Sequence, residues 1–139
     1  MTLKTIALAT AFAGLAAAPA FADVTGVWRT PTANGKVEIS KCGAELCGRL
    51  IGSDNIDKNP ALKDGRNKDE SQRGRPLKGL QMLYGFKGGP EKWTGGKVYN
   101  PEDGGTYGGT IEQTGPDSLK LKGCIVAPLC KTQTWTRWK

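Results

Sequence analysis

Histidine is absent from all 139 residues. Without an imidazole there is no Ser-His-Asp or Cys-His pair, no histidine-ligated zinc and no imidazole general base. Any chemistry must rest on carboxylates, lysine, tyrosine or cysteine. Two further patterns are missing past residue 22. No apolar run approaches the roughly 18–20 residues that cross a bilayer as a helix, and no segment keeps a sustained helical period. The spacing C-x-x-C is also absent, which removes the common zinc-knuckle and thiol-redox signatures. The length itself fits one domain, since domains run on the order of 100–150 residues.

What is present begins with positive charge. Twenty Lys plus Arg face 13 Asp plus Glu, giving a net charge of +7 and a sequence pI near 9.4. Such a surplus favours anionic partners and fast encounter with them, without naming a partner. Lys4 is the only charge before Asp23, and Ile6 to Ala18 is almost wholly Ala, Leu, Ile and Phe, followed by Pro19 and the triplet Ala20-Phe21-Ala22. This three-part layout predicts a secretory signal peptide over residues 1–22, cut after Ala22. Removing it leaves 117 residues as one domain, 23–139, and takes away a single lysine, so +7 becomes +6. The expected location is periplasmic or secreted, with no membrane-spanning segment.

That compartment decides the reading of the four cysteines. In an oxidising environment an even count in a short chain points to disulfides, and four cysteines allow three pairings. Cys42 and Cys47 bracket four residues, and Cys124 and Cys130 bracket five that include Pro128. Each connection is short enough to turn a hairpin and bring its cysteines together, so two local bridges are preferred. A four-thiolate metal site is the rival.

The rest reads as short strands between turn residues: Val27–Thr30, Lys36–Ser40, Leu46–Ile51, Gly79–Phe86, Trp93 after Pro90 and then Lys97–Tyr99, Thr106–Thr114, Ser118–Val126 and Thr132–Trp138. About eight strands at this spacing predict an all-β fold, a small antiparallel up-and-down barrel, because closure hides both sheet edges. Gly104 is free to take the positive φ that ends the Pro101-Glu102-Asp103-Gly104 turn, while Gly108-Gly109 suggest a bulge or sharp bend. One long polar loop, Ser53 to Pro76, interrupts the pattern. Between Asp57 and Lys78 it carries seven basic and four acidic residues and no interleaved aromatic. That pattern does not point to nucleic acid; it reads as a solvated loop pinned by its own ion pairs, with Arg75 folding down onto Asp64 or Asp69.

Two resemblances follow. Gly26-x-Trp28 near the start and Arg137 on the last strand together resemble the lipocalin-like (calycin) signature, which implies a first-strand tryptophan packed against a cationic side chain at the barrel end. A second set spans nearly the whole of 23–139 in order: Gly26-Val27-Trp28, Cys42-Gly43-Ala44-Glu45-Leu46-Cys47-Gly48, Gly74-Arg75-Pro76-Leu77-Lys78-Gly79-Leu80, Tyr84-Gly85-Phe86, Trp93 through Gly104 with Thr106-Tyr107, and Thr132 through Arg137. By these segments the chain is identified as a member of a bacterial secreted family known as domain of unknown function 2147 (DUF2147). The resemblance implies a small lipocalin-like barrel with no established activity or cofactor. In the long loop Asp64-Gly65-Arg66-Asn67 fits the family's Asp-x-x-Asn-Pro-Asp pattern, but Lys68 stands where the proline would be.

Three functional classes remain in view. A binding module would hold one small apolar or amphipathic ligand in the barrel mouth. Its inward candidates are Trp28, Leu80, Met82, Tyr84, Tyr99, Tyr107 and Leu121, which would otherwise fill a closed core. A structural or interaction protein would contact anionic envelope components through its basic surface. A carboxylate-based hydrolase would use Glu102 with Asp103, or Tyr107 with Arg75, yet turn chemistry accounts for Pro-Glu-Asp-Gly in full. No catalytic, cofactor or metal residue is assigned. The chain is read as holding or contacting something without transforming it.

Overall fold

The computed structural model describes residues 22–126 and 128–139. The expected signal peptide, residues 1–22, thus lies outside the described residues except for Ala22. Eight antiparallel strands follow one another around a closed barrel. They are β1 (Gly26–Arg29), β2 (Lys36–Cys42), β3 (Glu45–Gly52), β4 (Leu80–Gly88), β5 (Lys92–Asn100), β6 (Gly105–Gly115), β7 (Ser118–Cys124) and β8 (Cys130–Arg137). Each strand pairs with the next, and β1 closes on β8 through Trp28↔Arg137 and Arg29↔Thr136. Among the described residues no helix is long and apolar enough to cross a membrane.

This connectivity gives the barrel two unlike ends. The β1–β2, β3–β4, β5–β6 and β7–β8 connections gather at one, called the open end below. The other, closed end carries the three remaining hairpins and the segments that flank β1 and β8. Period-two alternation puts Val37 and Ile39 of β2, Leu119 and Leu121 of β7 and Trp135 of β8 inside, with exposed Glu38, Ser40 and Lys120 between them. Trp28 and Phe86 are almost wholly inaccessible and fill the closed half with Leu46, Leu83 and Ile111, and Trp135, equally inaccessible, lies between them and the open half.

Two cysteine hairpins are stapled, Cys42 to Cys47 at the closed end and Cys124 to Cys130 at the open end, as the short connections predict. The closed end is finished by Arg137. Its guanidinium lies 4.4 Å from the centre of the Trp28 ring and donates to the carbonyls of Thr25, Asp23 and Pro116 at 2.8–2.9 Å. Trp28 Nε1 donates to the Val24 carbonyl at 2.8 Å. A four-residue β1 supplies few ladder bonds, so this stack and these carbonyl contacts reinforce a seam that backbone pairing alone would leave weak.

Three sequence expectations need correction. The bulge expected at Gly108-Gly109 lies across from them on β5, where the register shifts between Trp93 and Gly96, while Gly108 and Gly109 themselves stay paired with both neighbours. Gly109 faces Gly96 of β5, and a Cβ on either would strike the Phe86 ring, so the pair makes room for a large side chain across two strands. Tyr84 does not point inward. The register slips on both sides of Gly48, and Gly85 takes φ +76°, so β4 buries Leu80, Leu83 and Phe86 at intervals of three and leaves Tyr84 40% exposed. The strand expected over Ser118–Val126 ends at Cys124, and Ile125 stands exposed on the turn.

The role of Gly109 gives a prediction. In Gly109→Ala the new Cβ would lie 2.6 Å from Val98 Cγ2 and 2.9 Å from Phe86 Cζ. Overpacking of this kind costs roughly 1–3 kcal/mol. Urea unfolding is expected to show that loss, and Phe86→Leu in the same chain should return part of it. Equal stability of Gly109→Ala and wild type would contradict the packing described.

Candidate functional site

The long connection between β3 and β4 is an ordered cap, not a bare loop. Ser53 caps a one-turn helix, α1 (Asp54–Lys58), by accepting from Ile56 N at 3.1 Å. Ile56 is 3% exposed and joins the core, and Asp54 N donates to Ala33 O on the β1–β2 turn at 2.9 Å. Further on, Leu62–Asp64 runs back along Arg75–Leu77: Leu77 N donates to Leu62 O and Asp64 N to Arg75 O, each at 2.9 Å. A single 3-10 turn, Glu70–Gln72, forms the tip.

At the centre of this cap lies the carboxylate of Asp64, whose side chain is 0% exposed. Tyr99 Oη donates to Oδ1 at 2.6 Å, while Arg75 Nε and Asn67 Nδ2 each donate to Oδ2 at 2.9 Å. Arg75 also lies 5.1 Å from the centre of the Tyr99 ring. A buried carboxylate is tolerable only with such partners. Tyr99 follows Val98, so strand alternation turns it away from the apolar cluster that Val98 joins, and the cap is what buries it. Burial first, and then the bond to Asp64, push its phenol from the ordinary 10 up to about 12. The ion pair expected for Arg75 with Asp64 or Asp69 forms with Asp64; Asp69 instead accepts from Ser71 and Gln72.

The cap is also tied to the β5–β6 turn. Arg66 Nη1 donates to the Glu102 carbonyl at 3.1 Å, and a Cβ on Gly104, which has φ +71°, would collide with the Arg66 carbonyl. Lys68 N donates to Gly104 O at 3.4 Å, a contact that a proline in its place would lack. The substitution at Lys68 therefore leaves the Asp64–Asn67 bond intact and adds a donor.

Inside the cap and the four open-end turns lies an open cavity of about 1100 Å³. Leu50, Met82, Val98, Leu121 and Trp135 form its apolar walls, with Tyr107 and Gln133 adding polar atoms. Tyr107 Oη donates to Asp103, and this bond raises the tyrosine's pKa. Of the seven inward candidates, Met82, Tyr107 and Leu121 border the cavity; Tyr99 borders it too but, contrary to expectation, turns away from the apolar cluster toward Asp64 of the cap. Trp28 is closed-end core, Leu80 is buried without lining the cavity, and Tyr84 borders a second, smaller depression together with Gln81 and Arg75. Sequence reading missed Leu50, Val98 and Trp135 as wall residues, although their place on alternating strands carried the signal.

The carboxylates weighed for catalysis do not pair across a site. Asp103 Oδ1 accepts from Gly105 N at 2.8 Å and Oδ2 from Tyr107, while Glu102 is exposed. Arg75, weighed as a partner of Tyr107, is bonded to Asp64. Among the described residues no group of His, Cys, Asp or Glu is arranged to hold a metal.

The Asp64–Tyr99 bond predicts a pH dependence. A phenol whose folded pKa lies above its unfolded value keeps its proton in the folded state while the unfolded chain loses one, so stability is full below pH 10 and falls as pH rises to about 12. The difference between 10 and about 12 corresponds to about 3 kcal/mol at most. Tyr99→Phe removes a donor to a buried charge and should cost roughly 1.5–3 kcal/mol near neutral pH. By chemical denaturation that deficit relative to wild type is expected to shrink between pH 9 and pH 12; a deficit independent of pH would refute the assignment.

Comparison with known proteins agrees with this architecture. A solved structure titled "Protein HP1028 from the human pathogen Helicobacter pylori belongs to the lipocalin family" superposes with a TM-score of 0.74 at 26% identity, covering 84% of each chain. Among curated proteins none matches the chain. Residues 26–137 match the family described as "Uncharacterized protein conserved in bacteria (DUF2147)", and the chain, a lipocalin-like eight-stranded barrel, belongs to that family.

Proposed function

We propose that the protein is a non-catalytic binding module that holds one small apolar or amphipathic ligand in the open end of its barrel. The observation that carries this reading is the cavity itself. Its volume of about 1100 Å³ is on the scale of small-molecule sites, which run from roughly 300 to 1,000 Å³. Apolar walls with a few polar atoms suit a largely hydrophobic ligand oriented by one polar group. The likeness to a protein titled as a lipocalin supports the same reading. Against a hydrolase stands the engagement of Asp103 in its own turn, with Glu102 beside it exposed, because paired carboxylates must face each other across roughly 5–9.5 Å. An extracytoplasmic location belongs to this reading, with residues 1–22 as a cleaved leader. Two disulfides support it, since they persist in oxidising compartments.

The test is occupancy of the cavity. Delipidated protein titrated with an anthroyloxy-labelled fatty acid is expected to give a saturable signal at a stoichiometry of about one. Met82 is half-buried on the cavity wall, so Met82→Trp places a larger side chain in the ligand's space with little effect on the closed-end core. Affinity should fall at least about tenfold while thermal stability changes little. No saturable signal with labelled fatty acids or sterols, or equal affinity in Met82→Trp, would overturn the reading.

A further inference from the structure

Large apolar side chains are exposed at four described positions, and three of them sit on one turn. Ile125 is 71% exposed, Val126 68% and Leu129 68%, all on the β7–β8 connection at the open end. Tyr84, the fourth, lies on the outer face of β4. Single exposed hydrophobes are ordinary, but a cluster on one turn marks a contact surface. Ile125, Pro128 and Leu129 also border the cavity, so the surface is continuous with the mouth.

The turn is built to leave water. Cys124 and Cys130 face each other in register and are bridged at its base, which holds the protruding aliphatics in one shape. Three of its described backbone N–H groups pair within it: Ile125 N donates to Leu129 O at 3.1 Å, Leu129 N to Val126 O at 2.7 Å, and Cys130 N to Pro128 O at 2.9 Å. Entry into hydrocarbon would otherwise expose such groups at a cost of several kcal/mol each. Lysines stand around the mouth. Lys58, Lys63, Arg66 and Lys131 border it with Glu102 and Asp103, and exposed Asp54 and Asp57 lie on α1 beside Lys58; Asp103 already accepts two hydrogen bonds. Lys58, Lys63, Lys131 and neighbouring Lys122 make no ion pair among the described residues.

We propose that the open end docks on an anionic phospholipid surface, with Ile125, Val126 and Leu129 entering the interfacial layer and the mouth lysines meeting lipid phosphates. Aliphatic insertion and lysine attraction each contribute modestly, and together they give reversible attachment. Charge complementarity favours an anionic bilayer over a second copy of this chain, whose own open end carries the same positive sign. This inference does not depend on the cavity being a ligand site, although it would set the mouth against a lipid reservoir.

Co-sedimentation of the oxidised protein with vesicles of roughly three parts phosphatidylcholine to one of phosphatidylglycerol tests it at low salt. Wild type is expected to partition onto these vesicles at least about tenfold better than onto pure phosphatidylcholine. Val126→Asp, at an exposed position that folding does not require, should lower that partitioning about tenfold or more with an unchanged melting curve. Lys131→Glu should lower it several-fold, by an amount that raised salt erases. Absence of binding, or equal binding of wild type and Val126→Asp, would overturn the proposal. So would self-association in sedimentation velocity that Val126→Asp abolishes, because the turn would then serve a second copy. Labelled fatty-acid titration without vesicles reports the cavity separately, so either reading can fail alone.

Discussion

The open end keeps its shape because one carboxylate is buried under the cap that covers it. Asp64 gathers Tyr99 from β5, Arg75 from the returning arm of the cap and Asn67 from its middle, and its own side chain is out of reach of solvent. Arg75 and Asn67 belong to a polar segment, whereas Tyr99 stands on a strand already fixed by Trp93 and Val98 in the core. Removing the carboxylate would leave a phenol and a guanidinium underneath without their acceptor, and the cap held by Ile56 in the core and by its bonds to the β1–β2 and β5–β6 turns. The walls that Leu62 and Leu77 give the cavity depend on the same contact, since both sit on the arms that Asp64 joins.

The two ends of the barrel divide the work of stability and recognition. At the closed end, buried rings and the Arg137 stack fix the seam between the shortest strand and the last one. At the open end the interior widens into a cavity, and the structure is held by hydrogen bonds among turns instead of by packing. A small barrel that packed side chains to both ends would have no room for a ligand. Here the large residues are concentrated in one half, with paired glycines on β5 and β6 making space for Phe86. The positive charge is not spread evenly either: several lysines without ion pairs border the mouth, beside the stapled apolar turn.

Much of this was legible in the sequence because strand alternation and short cysteine spacings are local signals. Val37-Glu38-Ile39 and Leu119-Lys120-Leu121 announce their inner faces, and each cysteine pair lies across one short turn. Where backbone geometry departed from period two, the reading failed. Strand alternation alone puts Tyr84 inward, because nothing in the composition of β4 shows that Gly48 and Gly85 shift its register. The α1 turn is five residues long, too short for any period to show, although Ser53 followed by Asp54 is a helix-start signal. The Asp64–Tyr99 bond joins positions 35 apart, and no local pattern reports it. Arg75 was readable as a loop anchor, but which carboxylate it would meet was set by the fold.

The central claim is that the open half of the barrel is a ligand site and the closed half is not. Methyl chemical shifts of the labelled protein titrated with palmitate test it most directly. Saturable shifts are expected at Met82, Val98 and Leu121 on the cavity wall, with Ile39 and Leu46 toward the closed end unmoved. Shifts confined to the closed half, or none that saturate, would contradict the account.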